Sequence, residues 1–147
     1  YATYHLALKP GTNVALLNMM LYYIISENLE DSSFIEKRTE GYQSFREQIL
    51  ALNIDELAQI TGVDKNLVRK AAIAYATAPN AMSFHGLGVT EHTQGTFTVM
   101  LISDLAMITG NIGRPGVGVN PLRGQNNVQG AADMGCQPHQ GAGYLSA

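Results

Sequence analysis

The run VALLNMMLYYII, Val14 to Ile25, is apolar on every side of any helix it forms, with Asn18 its one interruption. A helix of that kind cannot lie on a surface, and at least two other elements must cover it. It is also too short to cross a bilayer, which takes roughly 20 apolar residues per spanning helix. The chain therefore has to build a layered core around this segment. Pro10-Gly11 in front of it is a turn signal, Thr12 or Asn13 supplies an N-cap, and the helix is predicted to run to about Glu27. Ahead of the turn, Tyr4-His5-Leu6-Ala7-Leu8 reads as a short strand. Strand, turn and buried helix together outline one α/β unit.

The same order recurs later. Ala81-Met82-Ser83-Phe84-His85 reads as a strand ending at Gly86-Leu87-Gly88, and a second nearly all-apolar helix follows from Gln94 or Thr96 to Thr109, with Asp104 as its polar exception. Two such units favour an α/β fold with a parallel sheet covered by helices on both faces. Between them, at about residues 30–78, lies a helical excursion. Ser33 with Glu36 has capping-box spacing, and Tyr42, Phe45 and Ile49 give one apolar stripe. Asn53 with Glu56 repeats the spacing, Gly62 breaks that helix, and Asp64 caps the next, whose inner face is read as Leu67, Ala71, Ala74 and Tyr75. This pair is a helix-turn-helix only loosely. Lys65, Arg69 and Lys70 make no substantial basic surface, the net charge is -3, and no basic block with aromatics appears, so nucleic acid is not an expected partner.

From Gly110 the texture changes. Gly110, Gly113, Gly116 and Gly118 alternate with Pro115 and Pro121, which predicts turns with positive φ. Past Gln129 a short helix through Ala131, Ala132 and Met134 is expected. A self-sufficient domain rarely ends in so long a segment with so little apolar periodicity, which points to completing surfaces elsewhere. The opening YATYHLALKPG carries no basic region followed by an apolar one, and the sequence starts without Met, so a processed product and a fragment are both open. One cysteine, Cys136, excludes an intrachain disulfide or thiolate cluster and is compatible with a reducing compartment.

Three loops combine permissive backbone with polar groups: LKPGTN, GLGVTEHTQG and NPLRGQNNVQG. In α/β sheets ligands gather beyond the carboxyl ends of the strands, where loop amides and helix N-termini point outward. Lys9 could counter a phosphate, Thr12 and Asn13 could bond it, and Gly86 and Gly88 would admit close backbone approach. Neither GxGxxG nor a phosphate loop ending in GKS or GKT is present, so ordinary turn-and-cap architecture stands beside nucleotide binding as a reading. Arg123 is the strongest single candidate, since its donor fork suits a carboxylate, a phosphate or a heteroaromatic carbonyl. Gln125, Asn126, Asn127 and Gln129 each add a donor and an acceptor, and the alternative is a loop satisfied by its own amide-backbone bonds. His5, His85 and His92 lack metal-ligand spacing and read as satisfied core or surface histidines. Cys136 reads as a small buried thiol. Glu91 beside His92 is adjacency without a proton-relay geometry.

LALKPGTNVALLN, GLGVTEHTQGT and LAMITGNIGRPGVGVNPLRGQNNVQGAADMG, in that order, closely resemble the catalytic subunit of molybdenum- or tungsten-dependent formate dehydrogenases, within the molybdopterin oxidoreductase superfamily. The resemblance runs through essentially the whole chain. It implies an inner segment of a much longer subunit: residues 1–119 as part of a dinucleotide-binding-like α/β domain, and 120–147 as a pterin and active-site loop with the start of a passage to a neighbouring domain. It also implies a bis-molybdopterin guanine dinucleotide cofactor carrying Mo or W, and a 4Fe-4S cluster held by cysteines this sequence does not contain. Formate and carbon dioxide would be the substrates, and the rest of the subunit and electron-transfer iron-sulfur subunits the partners. No membrane insertion is expected, with the cytoplasm as compartment and the periplasm as alternative.

Carried onto these positions, the resemblance makes Lys9, Gly11, Thr12 and Asn13 contacts for the guanosine and pyrophosphate end of one cofactor, with Gly86, Leu87, Gly88 and Glu91 placed against the same dinucleotide. Arg123 would orient formate beside the metal, and Gln125 would touch the pterin. Asn126, Asn127, Val128 and Gly130 would shape the surrounding wall. Thr3 stands where many relatives carry an Asp suited to the guanine edge, and Glu91 where many carry Gln. Cys136 and His139 do not match the family's metal-ligating residue and catalytic histidine. The isolated chain is expected to be inactive. A relative with another substrate and a non-catalytic α/β binding or assembly module are the alternatives.

Overall fold

The computed structural model describes residues 1–146; Ala147, the end of the expected 120–147 segment, lies outside them. The first helix, α1 (Asn13–Ser26), is the centre of the fold. On one side Leu21, Ile24 and Ile25 meet Ile35, Ile49, Ala72, Leu105 and Ile108; on another Leu16 and Met19 meet Val63 and Val68. Full burial of such side chains contributes about 1.5–3 kcal/mol each. The partners come from α2 (Ser32–Arg38), α3 (Tyr42–Leu50), α5 (Lys65–Thr77) and α7 (Gly95–Ile108), and from the turn that joins α4 (Ile54–Thr61) to α5. The all-round apolar helix is thus enclosed over most of its surface, with Tyr22 and Tyr23 half-buried on the remaining flank.

The strand expected at Tyr4–Leu8 is absent. Those residues run without a sheet partner, with Leu8 N bonded to Leu6 O at 2.9 Å and Lys9 N to Thr61 O at 3.0 Å. Leu6 and Leu8 pack against the Val63 and Val68 cluster, so the alternation that reads as a strand is satisfied on the α4–α5 turn instead. The sheet consists of β1 (Met82–His85) and β2 (Gly118–Pro121), paired in parallel with Met82 opposite Gly118 and His85 opposite Pro121. Alternation along β1 turns Ser83 and His85 inward, while Met82 and Phe84 are exposed. Helices therefore cover one face of this small sheet, and among the described residues the other face is open rather than covered.

Sequence signals in the excursion hold at two of three caps. Asn53 Oδ1 accepts from Glu56 N at 3.3 Å, and Asp64 Oδ1 accepts from Asn66 N and Leu67 N, each at 3.0 Å. The cap of α2 is Asp31, not Ser33: its Oδ1 accepts from Phe34 N at 2.9 Å, and Ser33 Oγ instead accepts from Lys37 Nζ. The stripe of Tyr42, Phe45 and Ile49 belongs to the separate α3, opened by Gly41 at φ 73°. On α5 the inward residues are Val68 and Ala72; Ala74 is exposed and Leu67, Ala71 and Tyr75 are flanking, so the reading was one residue out of phase. Arg69 pairs with Glu27 through both carboxylate oxygens, and Lys65 with Asp55.

Helices α1 and α7 run parallel. Asp31 N, just beyond α1, donates to Ile108 O at the end of α7 at 2.7 Å, and near their starts Val14 and Asn18 share one depression with Phe97 and Met100. At the far end of α7, the buried Asn111 joins helix to strand. Its Oδ1 accepts from Ala81 N at 3.0 Å and Arg114 Nη2 at 3.0 Å, while its Nδ2 donates to Thr109 Oγ1 at 2.9 Å. Removing such a buried partner costs about 1–3 kcal/mol. We expect Asn111→Ala to lower stability by about that amount, measured by urea unfolding, with Asn111→Asp no rescue because a carboxylate cannot donate to Thr109.

A second test concerns α3. The Tyr42 hydroxyl donates to Glu30 Oε1 at 3.0 Å. Burial, aided by that bond and the Glu30 charge, pushes the phenol up to about 12. An unfolded Tyr titrates near 10. The folded value is raised, so this contribution is complete below pH ~10 and is lost as pH rises towards 12. The urea midpoint is expected to fall over that alkaline window more steeply in the native chain than in Tyr42→Phe.

Candidate functional site at the carboxyl ends of the strands

Parallel pairing of β1 and β2 delivers two of the three polar loops to one place. Leu122 N donates to His85 O at 2.6 Å, one residue past Pro121, whose ring nitrogen has no hydrogen to give. Gly86 lies so close to the segment after β2 that a Cβ there would stand 3.2 Å from Leu122 O, and Leu87 Cδ1 lies 3.6 Å from the Cβ position of Gly124. The Gly86-Leu87-Gly88 loop and the Arg123-Gly124 loop therefore form a continuous edge. At Gly86 the need is for close approach, not for an unusual φ, which is an extended -147°.

The chain leaves this edge through α6 (Leu87–Thr90) and turns into α7 at Gly95. A side chain on Gly95 would collide with the Thr90 carbonyl, and Gly95 N donates to His92 O at 2.9 Å. The sequence reading assigned Gly95 no role beyond ending the GLGVTEHTQG loop; its signal was a glycine at the start of an apolar helix. His92 Nε2 and Gly88 O are 3.0 Å apart, which absorbs that histidine into the loop. Glu91 ends α6, exposed and without an ion pair among the described residues.

α2, α4 and α5 carry side-chain caps, whereas α1, α3 and α7 do not. Thr12, at the cap position of α1, donates its hydroxyl to Lys9 O at 2.6 Å instead. Gly95 N is taken by His92 O, but the Asn13 and Val14 amides of α1 and the Thr96 and Phe97 amides of α7, parallel helices whose starts lie together, have no acceptor among the described residues.

Lys9, Gly11, Thr12 and Asn13 surround the start of α1, with Gly11 at φ 81°. The Lys9 side chain turns away from that start. Its Nζ donates to Gln59 O at 3.0 Å, and its stem crosses Gly62, where a Cβ would stand 3.0 Å from Lys9 Cε. An ammonium at the end of α4 satisfies a terminal carbonyl and complements the helix dipole.

The amide-rich loop divides in two. Asn127 adopts φ 53° and caps α8 (Val128–Asp133), its Oδ1 accepting from Gly130 N at 3.2 Å. Gln129 Nε2 donates to Asp133 Oδ1 at 3.0 Å and to Tyr144 OH at 2.8 Å. Hydrogen bonds from Tyr144 and Gln129 hold the Asp133 carboxyl below its usual range. Arg123, Gln125 and Asn126 are exposed, and none of their side chains bonds to the described residues. The reading of a loop satisfied by its own bonds holds from Asn127 onward, while Arg123, Gln125 and Asn126 stay unbonded among the described residues.

Cys136 is exposed, which corrects the expectation of a buried thiol. Gly135, at φ 84° and packed on the Ala142 backbone, turns the chain there, so Cys136 leaves α8 before any core forms around it. Among the described residues no three His, Cys, Asp or Glu side chains gather to hold a metal ion. Nor is any helix long and apolar enough to cross a membrane.

Helices on a small parallel sheet, with glycine loops and uncapped helix starts at the carboxyl edge, define a dinucleotide-binding-like α/β module. The model of the molybdopterin oxidoreductase family matches residues 1–143, and the chain belongs to that family of enzymes. It is 49% identical over 143 residues to formate dehydrogenase H of Escherichia coli (strain K12), covering 97% of this chain and 20% of that protein. It is 50% identical over 140 residues to the F420-dependent formate dehydrogenase subunit alpha of Methanocaldococcus jannaschii, covering 95% and 21%. Among solved structures, acetylene hydratase from Pelobacter acetylenicus superposes with a TM-score of 0.71 at 30% identity, over 78% of this chain and 16% of that one. The chain thus spans about a fifth of the length of the curated relatives it matches.

The division of the loop gives a test. Asn127→Ala is expected to destabilise the α8 region by about 1 kcal/mol, as loss of an N-cap does. Hydrogen exchange of α8 amides should rise in that variant and stay unchanged in Asn126→Ala.

Proposed function

We propose that this chain supplies part of the nucleotide cradle and the substrate-orienting arginine of a formate dehydrogenase catalytic subunit. The observation that carries the reading is Arg123: an exposed guanidinium without a partner among the described residues, on the edge where Gly86-Leu87-Gly88 and the loop of Gln125-Asn126 converge. The identity to two formate dehydrogenases across nearly the whole chain supports the substrate class.

The residues fit the cofactor that the reading requires, bis-molybdopterin guanine dinucleotide with Mo or W. Gly86 offers an edge with no side chain, the uncapped starts of α1 and α7 offer amide donors to a pyrophosphate, and Gln125 and Asn126 offer paired donors and acceptors to the pterin. When bound, that group accepts the two electrons released as formate becomes carbon dioxide and a proton. Arg123 holds the formate carboxylate through its donor fork and stays protonated throughout, so it orients the substrate and does not act as a base. Gly11, Thr12 and Asn13 face the guanosine and pyrophosphate end, joined by Leu87, Gly88 and Glu91. Lys9 acts mainly as a positioning residue: its ammonium fastens the loop to α4, and its carbonyl orients the Thr12 hydroxyl. The 4Fe-4S cluster that would take the electrons onward, to iron-sulfur partners, would be held by the rest of the subunit and not by residues of this chain. The exposed free thiol of Cys136 favours the reducing cytoplasm over the periplasm.

In the complete, metal-loaded enzyme, Arg123→Ala should lower formate turnover roughly 100-fold while Mo or W content is kept, with partial recovery in Arg123→Lys. Unchanged turnover at saturating and limiting formate would remove Arg123 from this role.

A further inference from the structure

A strand that ends a sheet presents a row of N–H and C=O groups to whatever lies beside it. In a parallel ladder each residue turns both groups to one side, and the next residue turns them to the other. Leu122 N donates to His85 O at 2.6 Å and Asn120 Nδ2 donates to Ser83 O at 3.3 Å, so Ser83 and His85 face β2. The amides and carbonyls of Met82 and Phe84 therefore point to the opposite edge, where no strand lies among the described residues. By the same alternation the outer edge of β2 carries Val119 and Pro121, and a proline without an N–H guards it against further pairing. The free edge of β1 has no such guard, neither proline nor lysine nor bulge.

Beside that edge runs a cleft. Leu17 and Met20 of α1 and Ile102 and Leu105 of α7 line it together with β1, and its walls include no residue of β2 and no charged side chain. Helix α7 packs on both strands, so α1, next to α7, extends past β1 over a place in the sheet that no described strand fills. Leu17 and Met20 remain half-buried on this side. The geometry points to a strand-docking site: the free edge of β1 and the cleft under α1 take an extended apolar segment of the catalytic subunit from outside this chain, paired with the Met82 and Phe84 backbone. This rests on the reading of the chain as part of such a subunit. The chain corresponds to 20% and 21% of two formate dehydrogenases, so most of a subunit of that length lies outside it. The chain's own candidate, Tyr4–Leu8, is engaged elsewhere, with Leu6 and Leu8 on the Val63 and Val68 cluster and Lys9 N bonded to Thr61 O. An uncharged cleft selects Val, Ile or Leu at every second residue of the segment, because a charged side chain would be stranded there.

The test uses the complete, metal-loaded subunit. Hydrogen exchange resolved to single amides is expected to show Met82 and Phe84 protected to within about tenfold of Ser83 and His85, which β2 already holds. With benzoylphenylalanine in place of Phe84, irradiation should link this position to a peptide of the same subunit from outside the 147 residues, with the mass staying that of one copy. Met82 and Phe84 amides that exchange more than about tenfold faster than Ser83 and His85 overturn the inference. So does a link to Tyr4–Leu8, or a link to a second copy, seen as a doubled mass. If the substituted subunit does not load metal, exchange in the unmodified one decides. Formate turnover and its loss in Arg123→Ala are read separately, so failure of this inference is told apart from failure of the proposed function.

Discussion

Everything in this fold is arranged around the need to bury α1 on all sides. Tyr22 and Tyr23 meet edge to face on its solvent-leaning flank, and the rest of its surface is enclosed by apolar side chains. One sheet could cover only one stripe of such a helix, so the excursion of α2 to α5 covers what the sheet and α7 do not. That requirement fixes α7 alongside α1 in parallel, and parallel helices share a common end. The polar loops are collected at that end as a consequence of packing, before any ligand is considered.

The other end is where the structure is fastened. Asn111 spans the C-terminus of α7 and the entry to β1, Arg114 braces it from Asn80 and the Gly110 carbonyl, and Asp31 both caps α2 and bonds the last carbonyl of α7. Gly110 is glycine at φ 64° because the Asp31 carboxylate occupies the space a Cβ would need. Side-chain hydrogen bonds are thus concentrated at the amino ends of the strands. The carboxyl ends are held by backbone contacts, Leu122 to His85 and Gly95 to His92, and by the local bonds of His92 and Thr90 to the Gly88 and Gly86 carbonyls, while Arg123, Gln125 and Asn126 stay unbonded among the described residues.

Legibility in the sequence followed the range of the interaction. Helix α1, helix α7, strand β1 and the caps at Asn53 and Asp64 were readable because each depends on residues within a turn or two of itself. Tyr4–Leu8 misled because alternation states which residues are buried, not what buries them; the α4–α5 turn took the place of a neighbouring strand. The phase of α5 was set by its contact with α1, which no local pattern contains. The family motif pointed to Arg123, Gln125 and Asn126, whereas Gly95 and Asn111 owe their roles to a backbone that folds over one and to a partner 30 residues away from the other.

The amide run shows how one composition can serve two ends of the same problem. An Asn in the left-handed region at 127 forces the chain to turn, its own oxygen then starts α8, and a Cβ at Gly130 would run into that side chain. The turn holds Gln125 and Asn126 just ahead of it in a loop whose side chains make no bonds to the described residues. Had all the amides been satisfied internally, the edge would present backbone alone; had none been, the loop would have no fixed shape in which to present anything. Lys9 follows the same logic, its charge turned inward to secure the loop so that neutral backbone donors face outward. Rigidity is supplied by the polar groups that are paired, and those that are not stay free for the proposed recognition.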